Sequence, residues 1–300
     1  MNFVVLDLEW NGAYSRRLGG FLNEIIEFGA VRASGGGGQA PDTFEALICP
    51  QVGKKISGKV STLTSITSED LREGVRFLEA VSRFGRWAGN AVVMTWGTSD
   101  ILALIENCRY FHGSDRIPFL RRYVDLQEYC ERILGCDRVR QVGLDSAARM
   151  LDVDPESFRH HRALGDSLLE LACFRKLYRP ETLKPFIQNA EKRDFYDRME
   201  FKTTDICDLN HPLIRPEYLT FCCDRCGRRA RRVGDWQLRN KSFRAEFFCR
   251  ACAHRFYGRV QFKLKYDGLT VRKSVLPPKA GLPAKENKTE EKKSVGGKNG

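Results

Sequence analysis

Five side chains spread over roughly 160 positions could share one reaction: Asp7, Glu9, Asp100, His161 and Asp166. They stand in three segments, VVLDLEWNG, WGTSD and HRALGD. Four carboxylates and one imidazole suit a reaction that gathers two hard divalent cations on a phosphodiester, because such ions take oxygen ligands. In Asp7-x-Glu9, residues i and i+2 of a strand point to one face. Two carboxylates there, at the end of an apolar strand, repel each other and lose hydration, and a divalent cation repairs both defects. Asp100 directly follows Trp96-Gly97-Thr98-Ser99, where an acid also serves as a helix cap or a first-turn acid. His161 and Asp166 stand at or just before an amphipathic helix, at a spacing that keeps both near one face. Each motif alone is equally at home on a solvated surface, as the neighbouring His160 is expected to be. The order and spacing of the set carry the reading.

Several elements must position these groups. Phe3–Leu8 is apolar enough for a buried strand, Ile25–Ala33 and Thr43–Cys49 follow as strands, and the glycine run between them (Gly35 to Gly38) reads as a hairpin loop. It is not a phosphate loop, lacking the Lys-Ser/Thr end and a following helix. Thr67-Ser68-Glu69-Asp70 predicts a capped helix start and Phe77–Ala88 has helical apolar spacing. Ala91–Trp96 predicts a fourth strand and Tyr123–Leu126 a fifth. Helices are expected over Asp100–Tyr110, Gln127–Leu134, about Gly143–Leu151 and Leu164–Tyr178. Three strands in a meander followed by alternating strands and helices imply an α/β fold, a mixed five-stranded sheet with helices on its faces.

Three hundred residues suit one sizeable domain plus an appendage. No apolar run approaches the roughly 20 residues that span a bilayer, so no membrane partner is expected. MNFVVLDLEW has no basic n-region and carries acids in its apolar stretch, unlike a signal peptide, and a cytoplasmic location is expected. We expect a first domain over 1–180, a helical connector over 181–217, a compact basic module over 218–276, and a disordered Lys/Gly/Pro-rich tail over 277–300.

The net charge of +12 lies almost wholly in the third of these. From Tyr218 to Val275 there are 15 lysines and arginines against 4 acids, an excess of +11. Charge of this sign and density suggests a polyanionic partner. Of eleven cysteines, Cys49, Cys108, Cys130, Cys136 and Cys173 are scattered through apolar segments and read as small buried hydrophobes. Cys223-x-x-Cys226-Gly and Cys249-x-x-Cys252, with 22 residues between the pairs, read instead as a tetrahedral structural Zn²⁺ site, a zinc ribbon of β-rich structure. Cys222 is an alternative ligand to Cys223, while His211 and His254 are weaker candidates. Arg228, Arg229, Arg231, Arg232, Arg239, Lys241 and Arg244 interleave with aromatics, most of which a small domain needs as core. Basic groups meet phosphates while aromatics stack on bases.

The set at Asp7, Glu9, Asp100, His161 and Asp166 resembles the DnaQ-like 3′–5′ exonucleases of the DEDDh subgroup. That family carries Asp-x-Glu on its first strand, a middle Asp opening a helix after the fourth strand, and His-x4-Asp on a late helix. Asn23-Glu24-Ile25-Ile26-Glu27-Phe28-Gly29-Ala30 and Tyr123-Val124-Asp125-Leu126 support the match. His161-Arg162-Ala163-Leu164-Gly165-Asp166 is similar to the family's HxALxDA, with Ser167 in place of its small alanine. The resemblance covers about residues 1–180, includes the compact KapD-type and RNA-interference-regulator-type members, and implies a ribonuclease H-like fold. It further implies two Mg²⁺ or Mn²⁺ ions, one held by Asp7, Glu9 and Asp166 and one by Asp7 with the scissile phosphate. Asp100 would act through waters, His161 would take the proton of the attacking water, and a single strand with a free 3′ end would lose 5′-mononucleotides. Trp10-Asn11 departs from the usual Thr after the Glu, in the stretch that meets the terminal nucleoside. Two other readings stand beside this one: a nucleic-acid-binding or regulatory protein using the fold as a scaffold, and a ribbon that docks a protein.

Overall fold

The computed structural model describes residues 1–34, 41–136 and 141–277, so the glycine run and the tail from 278 lie outside the described residues. Two units divide the chain, Met1–Glu200 and Phe201–Gly300.

The first unit runs β1 (Asn2–Ser15), β2 (Gly20–Ser34), β3 (Asp42–Leu47), α1 (Gly58–Thr64), α2 (Ser68–Arg72), α3 (Phe77–Ala88), β4 (Val92–Thr95) and α4 (Ser99–His112). It continues with β5 (Arg122–Asp125), α5 (Leu126–Ile133), α6 (Leu144–Met150), α7 (Ala163–Leu177), α8 (Pro180–Leu183), β6 (Gln188–Asn189) and α9 (Arg193–Glu200). The sheet order is β3-β2-β1-β4-β5-β6. The β1–β2 and β2–β3 pairs are antiparallel, β1–β4 and β4–β5 parallel, and β5–β6 antiparallel. The mixed sheet was expected with five strands. The sixth is two residues long and comes from the stretch read as connector.

Alternation along β1 feeds two cores. Val4, Leu6 and Leu8 join Phe77, Phe84 and Leu104 from α3 and α4, while Phe3 and Val5 join Tyr129, Leu171 and Phe174 from α5 and α7. Burial on both faces explains why the strand reads as a continuous apolar run. The same parity sends Asp7 and Glu9 to the α7 side.

Three boundaries differ from expectation. β1 and β2 extend as a hairpin to Ser15 and Gly20, past a bulge at Glu9/Trp10. The Asn11-Gly12 pair, a turn signal by composition, is absorbed into β1 because Ala13 and Leu22 are buried and Asn107 of α4 braces the ribbon, its Oδ1 accepting from the Ile25 N–H, and the turn falls instead at Arg16–Gly19. Residues 188–200 also belong to the first unit, where Ala190, Phe195 and Tyr196 enter the main core despite their charged surroundings. The second unit begins at Phe201 rather than 218, since β7 (Thr204–Asp205) pairs with a later strand and Ile206 is buried in its core.

Beyond β7 that unit has β8 (Arg231–Arg232), β9 (Gln237–Arg239), β10 (Ser242–Cys249), β11 (His254–Lys265) and β12 (Gly268–Leu276). They form one sheet of order β12-β11-β10-β8, with β9 also on β10 and β7 on β11. One face is packed by Phe243, Phe247, Phe256, Val260 and Phe262 against Ile206 and Phe221.

The contact between α7 and β2 is unusually close. A Cβ added at Gly29 would lie 2.0 Å from the Leu164 nitrogen and 2.1 Å from the Ala163 carbonyl carbon. No side chain can move aside there, because the neighbours are backbone. Gly29→Ala should lower stability by about 3 kcal/mol, a Tm drop of about 6–12 °C in thermal unfolding. An unchanged Tm would show that this contact is not tight in solution.

Candidate active site and metal centre

Asp7 and Glu9 leave β1 on the same face, and Asp166 comes down from the first turn of α7. One ligand oxygen from each lies within 4.8 Å of the others. Asp100, in the first turn of α4, is buried and accepts the Leu8 N–H through Oδ1 at 3.1 Å. It therefore ties the helix to β1 between the two acids. His161 is exposed in the turn preceding α7, with φ +55°, and its backbone N–H holds the Asp166 carboxylate. A left-handed histidine is uncommon, and here it follows from the abrupt turn into the helix.

That turn is held by Glu27, buried on β2 directly across from Glu9. Glu27 accepts from Arg162 Nε at 2.9 Å and from the Ala163 N–H at 3.1 Å, so a charge-assisted clamp fixes the start of α7. Gly29, across from Asp7, leaves room for the helix to settle. Ser167 Oγ lies 2.8 Å from the carbonyl oxygens of both Gly29 and Ala163, which explains a hydroxyl where a small residue is needed.

Burial and mutual repulsion set the charge state of the cluster. The Asp7 carboxyl is pushed well above the usual range by burial, then by Asp100, Glu170, Asp166 and Glu9. Burial and then Asp166 push Glu9 up to about 7, and burial pushes Asp100 to about 7 against the lowering effect of the Leu8 N–H. Asp166 is raised by burial, with His161 and His160 pulling the other way. Glu170, one turn beyond Asp166, is a fifth acid that motif matching passes over. It is buried, neither carboxylate oxygen has a hydrogen-bond partner, and its pKa is raised well up by burial, then Asp100 and Asp166. The i, i+4 spacing from Asp166 is the only signal in the chain that could have found it. Oxygen donors packed this closely, reluctant to ionise together, form a set that divalent cations fit.

Trp10 packs at the edge of the main core. Asn11 is buried, with Nδ2 donating to the Lys55 carbonyl at 3.3 Å and Oδ1 accepting the Ser57 N–H at 3.0 Å. Its amide thus braces the 51–57 loop, which Glu24 also grips by accepting the N–H groups of Gln51, Val52 and Gly53.

In the second unit, Cys223, Cys226, Cys249 and Cys252 converge with all four sulfurs within 4.8 Å of one another. Sulfur separations of 3.5 Å (Cys223–Cys252 and Cys226–Cys249) and 3.6 Å (Cys226–Cys252) fit tetrahedral Zn–S bonds of about 2.3 Å, which place sulfurs about 3.8 Å apart. Gly227, at φ +71°, makes the first knuckle turn, and Ala253, at φ +53°, the second. Cys222 pairs in a bridge with Arg229 and stands outside the set. His254 is also outside it, its Nε2 lying 3.0 Å from Asp224. Of the basic residues, Arg228, Arg229, Arg231, Arg232, Arg239 and Lys241 are exposed and Arg244 is half-buried. Arg229, Arg231 and Arg232 share a cavity of about 410 Å³, whereas Lys241 reaches Asp205 at 3.3 Å.

A mixed sheet of this order, with an Asp-x-Glu on its central strand, an Asp at a helix start and a His-x4-Asp leading a late helix, defines an exonuclease domain of DEDDh type. Residues 4–174 match the family described as Exonuclease (RNase_T), and the chain belongs to that family. It is 28% identical over 179 residues to the probable 3′-5′ exonuclease KapD of Bacillus subtilis (strain 168), covering 58% of this chain and 83% of that protein. It is 27% identical over 178 residues to DNA polymerase III PolC-type of Staphylococcus aureus, spanning 58% of this chain but only 11% of the polymerase. Among solved structures, the nuclease domain of 3′hExo, a DEDDh family member bound to rAMP, shares the fold with TM-score 0.50 and 19% identity, over 58% of this chain and 90% of that one. The 3′-exonuclease solved in 3′-end specific recognition of a histone mRNA stem-loop gives TM-score 0.51 and 17% identity, over 63% and 84%. No helix among the described residues is long and apolar enough to cross a membrane.

The raised carboxyls make a pH prediction for metal-free protein. Unfolded Asp and Glu titrate near pH 4, whereas Glu9 and Asp100 titrate at about 7 when folded. The folded state thus holds protons that the unfolded state has released, and its stability is full below about pH 4 and falls as pH rises toward 7. In EDTA the Tm should drop by about 5–10 °C between pH 5 and 8. Mn²⁺ should restore it, and more so at pH 8. Glu170→Gln should flatten the slope. A Tm rising with pH in EDTA would contradict the cluster.

Proposed function

We propose that this chain is a metal-dependent 3′–5′ exonuclease that removes 5′-mononucleotides from single-stranded nucleic acid. The observation carrying this reading is the convergence of Asp7, Glu9 and Asp166 within one metal ion's reach, beside buried Asp100. These carboxylates would hold two Mg²⁺ or Mn²⁺ ions, with Asp7 shared between them. When bound, the ions supply the positive charge that neutralises the phosphodiester and acidifies water.

The chain's own residues do the rest. Asp100 fixes the backbone at Leu8, so Asp7 and Glu9 keep their aim without support from substrate. Glu27 and Arg162 hold the turn that presents His161 to solvent, where its imidazole accepts the proton of the attacking water. The water oxygen bonds to phosphorus, the bond from phosphorus to the 3′ oxygen breaks, that oxygen takes a proton from solvent, and the strand leaves one nucleotide shorter with a free 3′ hydroxyl. The four cysteines would hold a structural Zn²⁺, which makes the second unit a folded, basic module on the same chain. Tethering raises the effective concentration of any strand it holds. Similarity to KapD supports the polarity of attack, and a site that must take one terminal phosphodiester favours an unpaired 3′ end.

Three measurements test this reading. Labelled RNA and DNA oligomers, with 3′ ends free or blocked, should be shortened from a free 3′ end only when Mg²⁺ or Mn²⁺ is present. Asp7→Asn should abolish the activity, and His161→Asn should slow it by about 10²–10⁴-fold while binding in EDTA holds. Wild-type hydrolysis by Asp7→Asn would overturn the assignment, and binding with no turnover by the wild type would favour a scaffold. Elemental analysis should find one Zn²⁺ per chain, lost in Cys226→Ser together with the cooperative melting of the second unit.

A further inference from the structure

The sheet of the second unit has two faces, and only one is used by its core. β10 and β11 alternate strictly, with Phe243, Ala245, Phe247, Phe256 and Val260 inward and Arg244, Phe248, Arg255, Tyr257 and Arg259 outward. Most aromatics of the module are inside, as a small core requires. Phe248 and Tyr257 are half-buried on the other side.

The register arranges the outer face in rungs. Arg244 lies opposite Arg259, Glu246 opposite Tyr257, and Phe248 opposite Arg255. Successive rungs are about 6.6–7 Å apart along the strands. The two rings are diagonal neighbours, each within reach of a guanidinium, and Arg255 already sits 5.4 Å over Phe248. Its charge is partly answered by Glu246 at 2.8 Å.

The Arg244–Arg259 rung is different. Extended across β9 and β12, that row reads Gln237, Arg244, Arg259, Ser274 and holds no carboxylate. Like charges directly opposite each other cost stability. Among the described residues neither arginine has an ion pair, and Arg244 Nε is buried without a hydrogen-bond partner. Arg259 Nε donates only to Ser242 Oγ, at 3.1 Å. An anion laid on the face would answer the charge of both arginines, which their own row leaves without a counter-charge. Flat rings one rung further on suit the base attached to that anion.

We propose that this outer face is a stacking platform for single-stranded nucleic acid, with phosphates on Arg244 and Arg259 and bases on Tyr257 and Phe248. In taking a nucleic acid as the occupant the proposal rests on the exonuclease reading. It specifies unpaired bases, because duplex bases do not offer their flat faces to a protein ring.

Fluorescence anisotropy on the full chain in EDTA tests it, with a labelled 12-nucleotide single strand, the corresponding duplex and a poly-glutamate competitor. Tyr257→Leu and Phe248→Leu should each weaken single-strand binding about 5–100-fold while leaving duplex binding within about twofold. Arg244→Gln with Arg259→Gln should reduce the slope of log affinity against log salt by about 1–2. Zinc content and Tm identify any variant that has not folded, and the arginine pair then gives a readout independent of the rings. Single-strand binding indifferent to both rings and both arginines overturns the proposal. So does poly-glutamate competing as well as the oligomer, which would assign the face to an acidic protein. Turnover is not read here, so a chain that binds through the rings without hydrolysing sinks the exonuclease reading alone.

Discussion

Everything in the first unit turns on a helix laid directly on a strand. The first turn of α7 meets β2 at Gly29 with nothing but backbone between them, and Glu27 takes up both Arg162 and the Ala163 N–H. Because Gly29 is the cross-strand partner of Asp7, this contact determines how far Asp166 stands from the Asp-x-Glu pair. A methyl group of extra separation would pull one carboxylate away from the others. The buried ion pair therefore stabilises an alignment as much as a fold. Its cost in desolvation is offset by three donors converging on one carboxylate.

Against that clamp works a cluster that the fold alone would not favour. Asp7, Glu9, Asp100, Asp166 and Glu170 gather where burial, joined in all but Asp100 by repulsion, raises the pKa values of all five. An apolar lining would be more stable. Such local conflict between stability and composition is what a functional site looks like when its ligand is a cation. The second unit repeats the pattern with other chemistry, since four thiols converge in a module with few other means of holding its knuckles together, and two arginines face each other across strands.

Much of this was legible before any coordinates. The order of strands and helices followed from apolar periodicity, and the Asp-x-Glu parity, the Asp100 helix start and the paired CxxC spacing are local patterns. What escaped had physical reasons. The β1–β2 ribbon runs through the Asn11-Gly12 signal because Leu22 and Ala13 are buried and Asn107, far along the chain, holds the ribbon at Ile25. Phe195 and Tyr196 sit among charges in sequence yet occupy the main core. Glu27 and Glu170 look like ordinary surface acids, and only tertiary packing makes one a clamp and the other a buried, unpartnered carboxyl. Choosing Cys223 over Cys222 likewise depended on which thiol turns inward.

The clamp at Glu27 joins the second strand of the chain to the start of α7, 135 residues further on. Contacts of such sequence separation form late, because the loop between them must close first. During synthesis the Asp-x-Glu strand emerges early and pairs with β2, yet it lacks Asp166 until α7 has been made and docked. A chain that stops short of α7 therefore has the Asp-x-Glu pair without the third carboxylate of the cluster. Nucleolytic capacity arises only once α7 has docked and is lost whenever α7 lifts away.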